Sequence, residues 1–282
     1  MVRPDSHGLA AAQLRELDRD RYAASLVVPA GKRADVQALF AFAADVAAIR
    51  ERVSEPTPGE IRLQWWIDAL EGKGHGEVRY NPVADALLDT IERCALPSGP
   101  LIRLLAARRF DLYHDPMSDI GQFEGYAGET VSVLFQYAAM ILAGEETPQT
   151  ADAAGHLGVA LALAGHLRAF GYNASRGQIF LPLAVFTAHG VREADIYAGV
   201  DSEALRAAIA QIIDIADDHA QKARAAIAAL PSSLRSVFAS LALVEGDLKR
   251  LASGADNPFA PPAVPGPFRR LASLMWWTMR NG

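Results

Sequence analysis

The sequence predicts an all-α protein, and three observations carry that prediction. Ala, Leu, Arg and Glu dominate the chain, and these side chains lose little freedom on a helix. No stretch keeps up the period-two alternation of β-branched residues that a half-buried strand needs. Of the 282 residues, 51% are hydrophobic and 21% charged, a balance that fills a large core and leaves little chain too polar to fold. No repeat, low-complexity tract or shift in composition marks a boundary. Residues 1–282 therefore read as one helical-bundle domain.

The elements follow in order. The opening stretch MVRPDSHGLAAAQLRELDRDRY has no unbroken apolar run, so no leader peptide is expected. Helix breaks are expected at 27–32, 54–60, 71–82, 96–100, 144–150 and 230–233, where Gly, Pro and Ser cluster. Within 54–60, Thr57 is expected to cap a helix, with Pro58 in its first turn and Glu60 three residues past the cap. The apolar runs at 130–144 and 157–167 fall short of the ~20 residues that span a bilayer, and they read as core helices. The Pro-rich segment 253–270 is expected to be non-helical and to lead into a short C-terminal helix, LASLMWWTMR. Trp276 and Trp277 leave two readings of that helix: docking on the core, or contact with a membrane surface or partner.

A net charge of −6 argues against nucleic acid as a partner, because phosphate binding needs concentrated Lys and Arg. The single cysteine, Cys94, allows no internal disulfide and points to a reducing, cytoplasmic setting. It reads as a small buried residue rather than a nucleophile. Asp214, Asp217, Asp218 and His219 could supply metal ligands from one helix, but Lys222 and Arg224 follow closely, so a solvated face is the expectation. Asp85 and Asp89 read the same way, and Pro116 interrupts the series Asp111, Asp115, Asp119. His156 and His166 would lie about 15 Å apart on one helix and cannot share an ion. No nucleophile elbow, P-loop or dinucleotide fingerprint is present.

Two longer blocks carry more. Residues 26–72 contain LVVPAGKRADVQALFAFAADVAAIRERVSEPTPGEIRLQWWIDALEG, and residues 156–191 contain HLGVALALAGHLRAFGYNASRGQIFLPLAVFTAHGV. Together they resemble the squalene/phytoene synthase family, which implies the isoprenoid-synthase fold. Members that condense prenyl diphosphates hold Mg²⁺ with two Asp-rich motifs on facing helices. The resemblance places the first motif on Ala47, Ala48 and Glu51, and the second on Ala169 and Asn173. Neighbouring polar positions of the family become Ala162 and Gly165, and a Tyr-containing pair becomes Glu124 and Gly125. Alanine offers no side-chain oxygen ligand, so Mg²⁺-dependent prenyl transfer is not expected, nor is any cofactor.

The turn VSEPTPG at 53–59 and the pair Trp65–Trp66 resemble a subgroup of the family, the complex I assembly factors, which likewise lack those aspartates. That resemblance implies a non-catalytic role in assembling NADH:quinone oxidoreductase. The implied partners are complex I subunits or assembly intermediates, and the implied location is peripheral, at the inner face of the cell membrane. The alternatives are a transferase acting on farnesyl or geranylgeranyl diphosphate, with Mg²⁺, or a lipid- or isoprenoid-binding protein. Arg168, Tyr172, Asn173 and Arg176 are the candidate cavity residues. No acidic residue lies between Asp152 and Glu193, so the two arginines are expected to give the cavity a positive mouth.

Overall fold

The computed structural model describes residues 5–74, 76–144, 148–254, 257–260 and 263–281. Among them there is no strand. The chain opens with α1 (Ser6–Leu17), α2 (Arg19–Ser25) and α3 (Ala30–Ala47), and a 3₁₀ turn at Ala48–Arg52 leads to α4 (Pro56–Leu70), α5 (Pro82–Arg93) and α6 (Gly99–Ala107). A second 3₁₀ turn, Arg108–Leu112, precedes α7 (Ile120–Ala127), which runs through a π turn (Gly128–Ser132) into α8 (Val133–Ala143). Next come α9 (Ala151–Arg168), α10 (Phe170–Ser175), α11 (Leu183–Ala188), α12 (Glu193–Tyr197), α13 (Glu203–Ala228), α14 (Ser232–Arg235), α15 (Ser240–Ser253) and α16 (Pro267–Asn281).

Helices α3 and α9 form the interior. Each buries residues around most of its circumference: Val36 through Ala44 on α3, and Leu157 through Ala160 with Ala162 through Ala164 on α9. A helix apolar on every side has to be enclosed by others. Accordingly α3 packs on α1, α5 and α8, whereas α9 packs on α8, α13, α15 and the π turn. The outer helix α13 buries one stripe only, Leu205, Ala208, Ile209, Ile212, Ala216, Ala220, Ala223 and Ile227, which is the three-to-four spacing of an amphipathic helix.

Several boundaries differ from the sequence expectation. Helix α4 begins at Pro56 with Glu55 as its N-cap, so Thr57 lies inside the first turn and caps nothing. Proline at the first helical position loses no hydrogen bond and has its φ preset, which moves the start forward. The same effect starts α16 at Pro267, inside the segment expected to be non-helical, while α15 runs on to Ser253. Asp18 introduces a break that the sequence reading omitted. Its side chain accepts from the Arg21 amide at 2.9 Å and opens α2. The tryptophan pair divides: Trp277 and Leu274 are buried against the body, and Trp276 faces outward.

Small residues on α9 let the bundle close. A Cβ placed on Gly158 would lie 2.7 Å from the Ser132 backbone nitrogen and 2.8 Å from its Cα, both closer than a carbon can approach. Gly158→Ala is therefore expected to destabilise the fold by about 1–3 kcal/mol, lowering the midpoint of thermal unfolding by several degrees. Gly165→Ala on the same helix meets nothing within 4 Å and is expected to leave the midpoint unchanged or slightly raised. Circular dichroism melts of the two variants check the contrast.

Candidate functional site

A cavity of about 400 Å³ lies beside α9, between α2, the end of α3, α7, α10, α15 and α16. Val131, Phe135, Leu161, Ala162, Leu243 and Val244 give it an apolar floor. Charged residues from helices far apart in sequence form the rim.

The first rim cluster centres on Asp247 of α15. Its buried carboxylate accepts from Arg168 Nη1 at 2.8 Å, from Arg270 Nη1 at 2.9 Å and Nη2 at 3.2 Å, and from Arg250. Asp20 of α2 accepts from Arg270 Nε at 2.6 Å and Nη2 at 2.7 Å, with Arg168 at 3.5 Å. Burial works to raise the Asp247 carboxyl, but hydrogen bonds and charge from Arg270, Arg168 and Arg250 outweigh it and hold the group below its ordinary value.

The second cluster centres on Arg50, in the 3₁₀ turn after α3. Its guanidinium donates to Asn173 at 3.2 Å and Gln178 at 2.5 Å, pairs with Glu51 at 3.1 Å, and lies 4.6 Å from the centre of the Phe180 ring. The Tyr172 hydroxyl donates to Glu51 at 2.7 Å, and that bond raises the phenol above its usual range. Deeper in, Arg108 donates to Asp111 and to the Tyr126 hydroxyl, each at 2.9 Å, and Tyr126 donates to Asp111 at 2.6 Å. The Arg108 Nε is buried with no hydrogen-bond partner.

The candidate residues can now be placed. Arg168, Tyr172 and Asn173 line the cavity; Arg176 instead lines an adjoining recess of about 200 Å³ with Arg50, Asp111 and Gln178. The expectation that the arginines lack nearby carboxylates is corrected. Arg168 is paired with Asp247 and Asp20, and Arg176 lies 3.9 Å from Glu51. These acids come from α2, α15 and the turn after α3, so a segment free of Asp and Glu did not imply a site free of them. Arg50, Arg108, Asp20, Asp247 and Arg270 were missed as site residues. The usable signal was a lone charge on the apolar face of a helix, as at Asp247 among Leu243, Val244, Leu248 and Leu251.

The Mg²⁺ that the family implies does not fit these side chains. Ala47 and Ala169 reach the cavity, and Ala48 lines a groove beside it, but none offers a ligand oxygen. The Asn173 oxygen accepts from Arg50, and the Glu51 carboxylate is taken by Arg50 and Tyr172. Asp20 and Asp247 are saturated by guanidinium groups. Among the described residues, no three His, Cys, Asp or Glu side chains converge on a point that could hold a metal.

Members of the other acidic clusters are also engaged. Asp218 pairs with Lys222 at 2.7 Å, and Asp217 accepts from Gln221 at 2.6 Å. His219 turns inward, to His156 at 3.1 Å and Glu124 at 3.3 Å. Asp89 holds His7 and Arg93, and Asp119 caps α7. Cys94 is half-buried, and burial pushes its thiol up.

His166 borders the cavity, stacked on Phe180 at 4.8 Å and edge-on to Phe123 at 5.9 Å. Desolvation, against a weaker pull from Asp111, lowers its pKa to about 4, and the positive charges of Arg108 and Arg50 add to the fall. The ring is neutral when folded at pH 7. Its contribution to stability is present above the unfolded value of roughly 6.5 and is lost as pH falls towards about 4. Between pH 7 and pH 5, wild type should lose about 2 kcal/mol more than His166→Phe does. Urea unfolding of both proteins at the two pH values measures the difference.

The family model "Squalene/phytoene synthase" matches residues 14–277. The chain is 31% identical over 248 residues to "NADH dehydrogenase (ubiquinone) complex I, assembly factor 6" of Rattus norvegicus, covering 88% of this chain and 74% of that protein. It is 27% identical over 270 residues to the 15-cis-phytoene synthase of Synechocystis sp., covering 91% and 80% of the two chains. Among solved structures, a dehydrosqualene synthase in complex with ligand superposes with a TM-score of 0.82 at 18% identity, covering 98% of this chain and 96% of that one, which speaks for the fold alone. The family model's match to residues 14–277 and the 31% identity to a relative across 88% of the chain lead to one conclusion: the chain belongs to the squalene/phytoene synthase family.

Proposed function

We propose that the chain is a non-catalytic member of the family that assists the assembly of respiratory complex I. One observation carries the non-catalytic half. At the positions where the family's transferases are expected to present metal-binding aspartates, this cavity presents Ala47 and Ala169, with Ala48 in the groove beside it, and the carboxylates on its rim are bound to arginines. A diphosphate leaves when cations take up its charge, and nothing on this rim gathers divalent cations. The assembly half is supported by the likeness to the rat assembly factor across 88% of the chain.

In this reading the protein works from the cytoplasm, peripherally at the inner face of the cell membrane, and its partners are complex I subunits or assembly intermediates. No helix among the described residues is long and apolar enough to cross a bilayer. The cavity supports an additional role as a holder of a lipid or isoprenoid, because its apolar floor matches a hydrocarbon chain.

Deleting the gene should abolish or strongly reduce NADH:quinone oxidoreductase activity in isolated membranes while the other respiratory complexes keep theirs. The wild-type gene should restore it. Unchanged complex I activity in the deletion strain would defeat the proposal.

A further inference from the structure

Helix α16 has two unlike faces. Arg270, Leu274 and Trp277 turn inward. On the opposite side Phe268 is 87% exposed, Met275 52%, Trp276 59% and Met279 73%. At 3.6 residues per turn, these four fall with Ala272 within about 100° of arc, a single apolar stripe. Arg269 and Arg280 flank one edge of it, and neither pairs with a carboxylate among the described residues. Arg280 lies 5.9 Å from the centre of the Trp276 ring. The helix itself, PFRRLASLMWWTMRN, contains no Asp or Glu.

We infer that this outer face of α16 docks the protein on an anionic lipid bilayer. Charge selects that occupant. The whole chain is net negative, yet this helix carries only positive charge. Phe, Trp and Met on a stripe bordered by arginines form the pattern of a helix lying in the interfacial plane, with its apolar side among the acyl chains and its cations at the headgroups. A second copy of this chain paired through the same face offers no such match, because that would set the arginines of the two helices against each other. The docked orientation has a consequence for the cavity. Arg270, on the inward side of α16, lines the cavity rim, so the bilayer and the cavity would be separated by about one helix diameter, roughly 10 Å. The inference stands on α16 alone and does not rest on the assembly role.

The test is sedimentation of the purified full chain with vesicles of phosphatidylcholine containing phosphatidylglycerol, and with vesicles of phosphatidylcholine alone. The protein should pellet with the anionic vesicles and largely remain in solution with the neutral ones. The triple variant F268S/M275S/M279S should lose at least about tenfold in partitioning. The variant R269Q/R280Q should lose roughly thirtyfold on anionic vesicles and show little change on neutral ones. All substituted residues are exposed, so unfolding midpoints should match wild type. A control, Tyr80→Ser, changes an exposed aromatic on another part of the chain and should bind like wild type. Failure to pellet with anionic vesicles, or pelleting that both α16 variants retain, overturns the inference. So does a wild-type dimer in gel filtration that the triple variant converts to monomer without losing vesicle binding, because the stripe would then be an interface between copies.

Discussion

Asp247 keeps a negative charge on the buried side of α15, and three arginines make that possible. A buried carboxylate is tolerable only when its charge is matched and its lone pairs are filled. Here Arg168 comes from α9, Arg250 from one turn along α15, and Arg270 from α16. Arg270 then reaches on to Asp20 and brings in α2. Four helices are thereby fixed around one side of the cavity. Replacing Asp247 would leave the buried Arg270 with Asp20 alone, and breaking a buried pair from one side costs about 3–5 kcal/mol, so the cluster specifies an arrangement as well as adding to it.

The same cluster determines what the cavity can do. Carboxylates around an enclosed pocket can gather divalent cations, but only when their oxygen lone pairs are free to ligate. On this rim they are committed to guanidinium groups, and the alanines at 47, 48 and 169 add no oxygen. The cavity has an apolar floor, Phe135, Leu161, Leu243 and Val244 among it, below a rim of ion pairs. His166 fits that picture. Low polarity and neighbouring positive charge keep its ring neutral, and it stacks on Phe180 as an aromatic side chain rather than acting as a charged one.

How much could be read from the sequence depended on whether a feature was local. The all-α class, the burial of α9 and the loss of ligating side chains at 47, 48 and 169 follow from composition, from apolar runs and from a family pattern confined to two continuous blocks. The helix starts at Pro56 and Pro267 were misplaced by a few residues, because a proline that ends one helix in its interior begins another at its first position. The charge balance of the cavity was not readable at all. Arg168 meets Asp247 79 positions away, and Arg270 meets Asp20 250 positions away. Pairings of that range are set by which helices touch, and no periodicity within a helix encodes them. The Trp276–Trp277 pair shows the boundary well. Two readings were open, core or surface, and packing assigned one ring to each.

With its carboxylates paired to arginines, this rim is expected not to recruit Mg²⁺ to a diphosphate. Calorimetric titration of the purified chain with farnesyl diphosphate, with and without Mg²⁺, together with an assay for released pyrophosphate, measures this. Mg²⁺ should not strengthen binding, and no pyrophosphate should appear. Tight binding that requires Mg²⁺ and is followed by pyrophosphate release would contradict it.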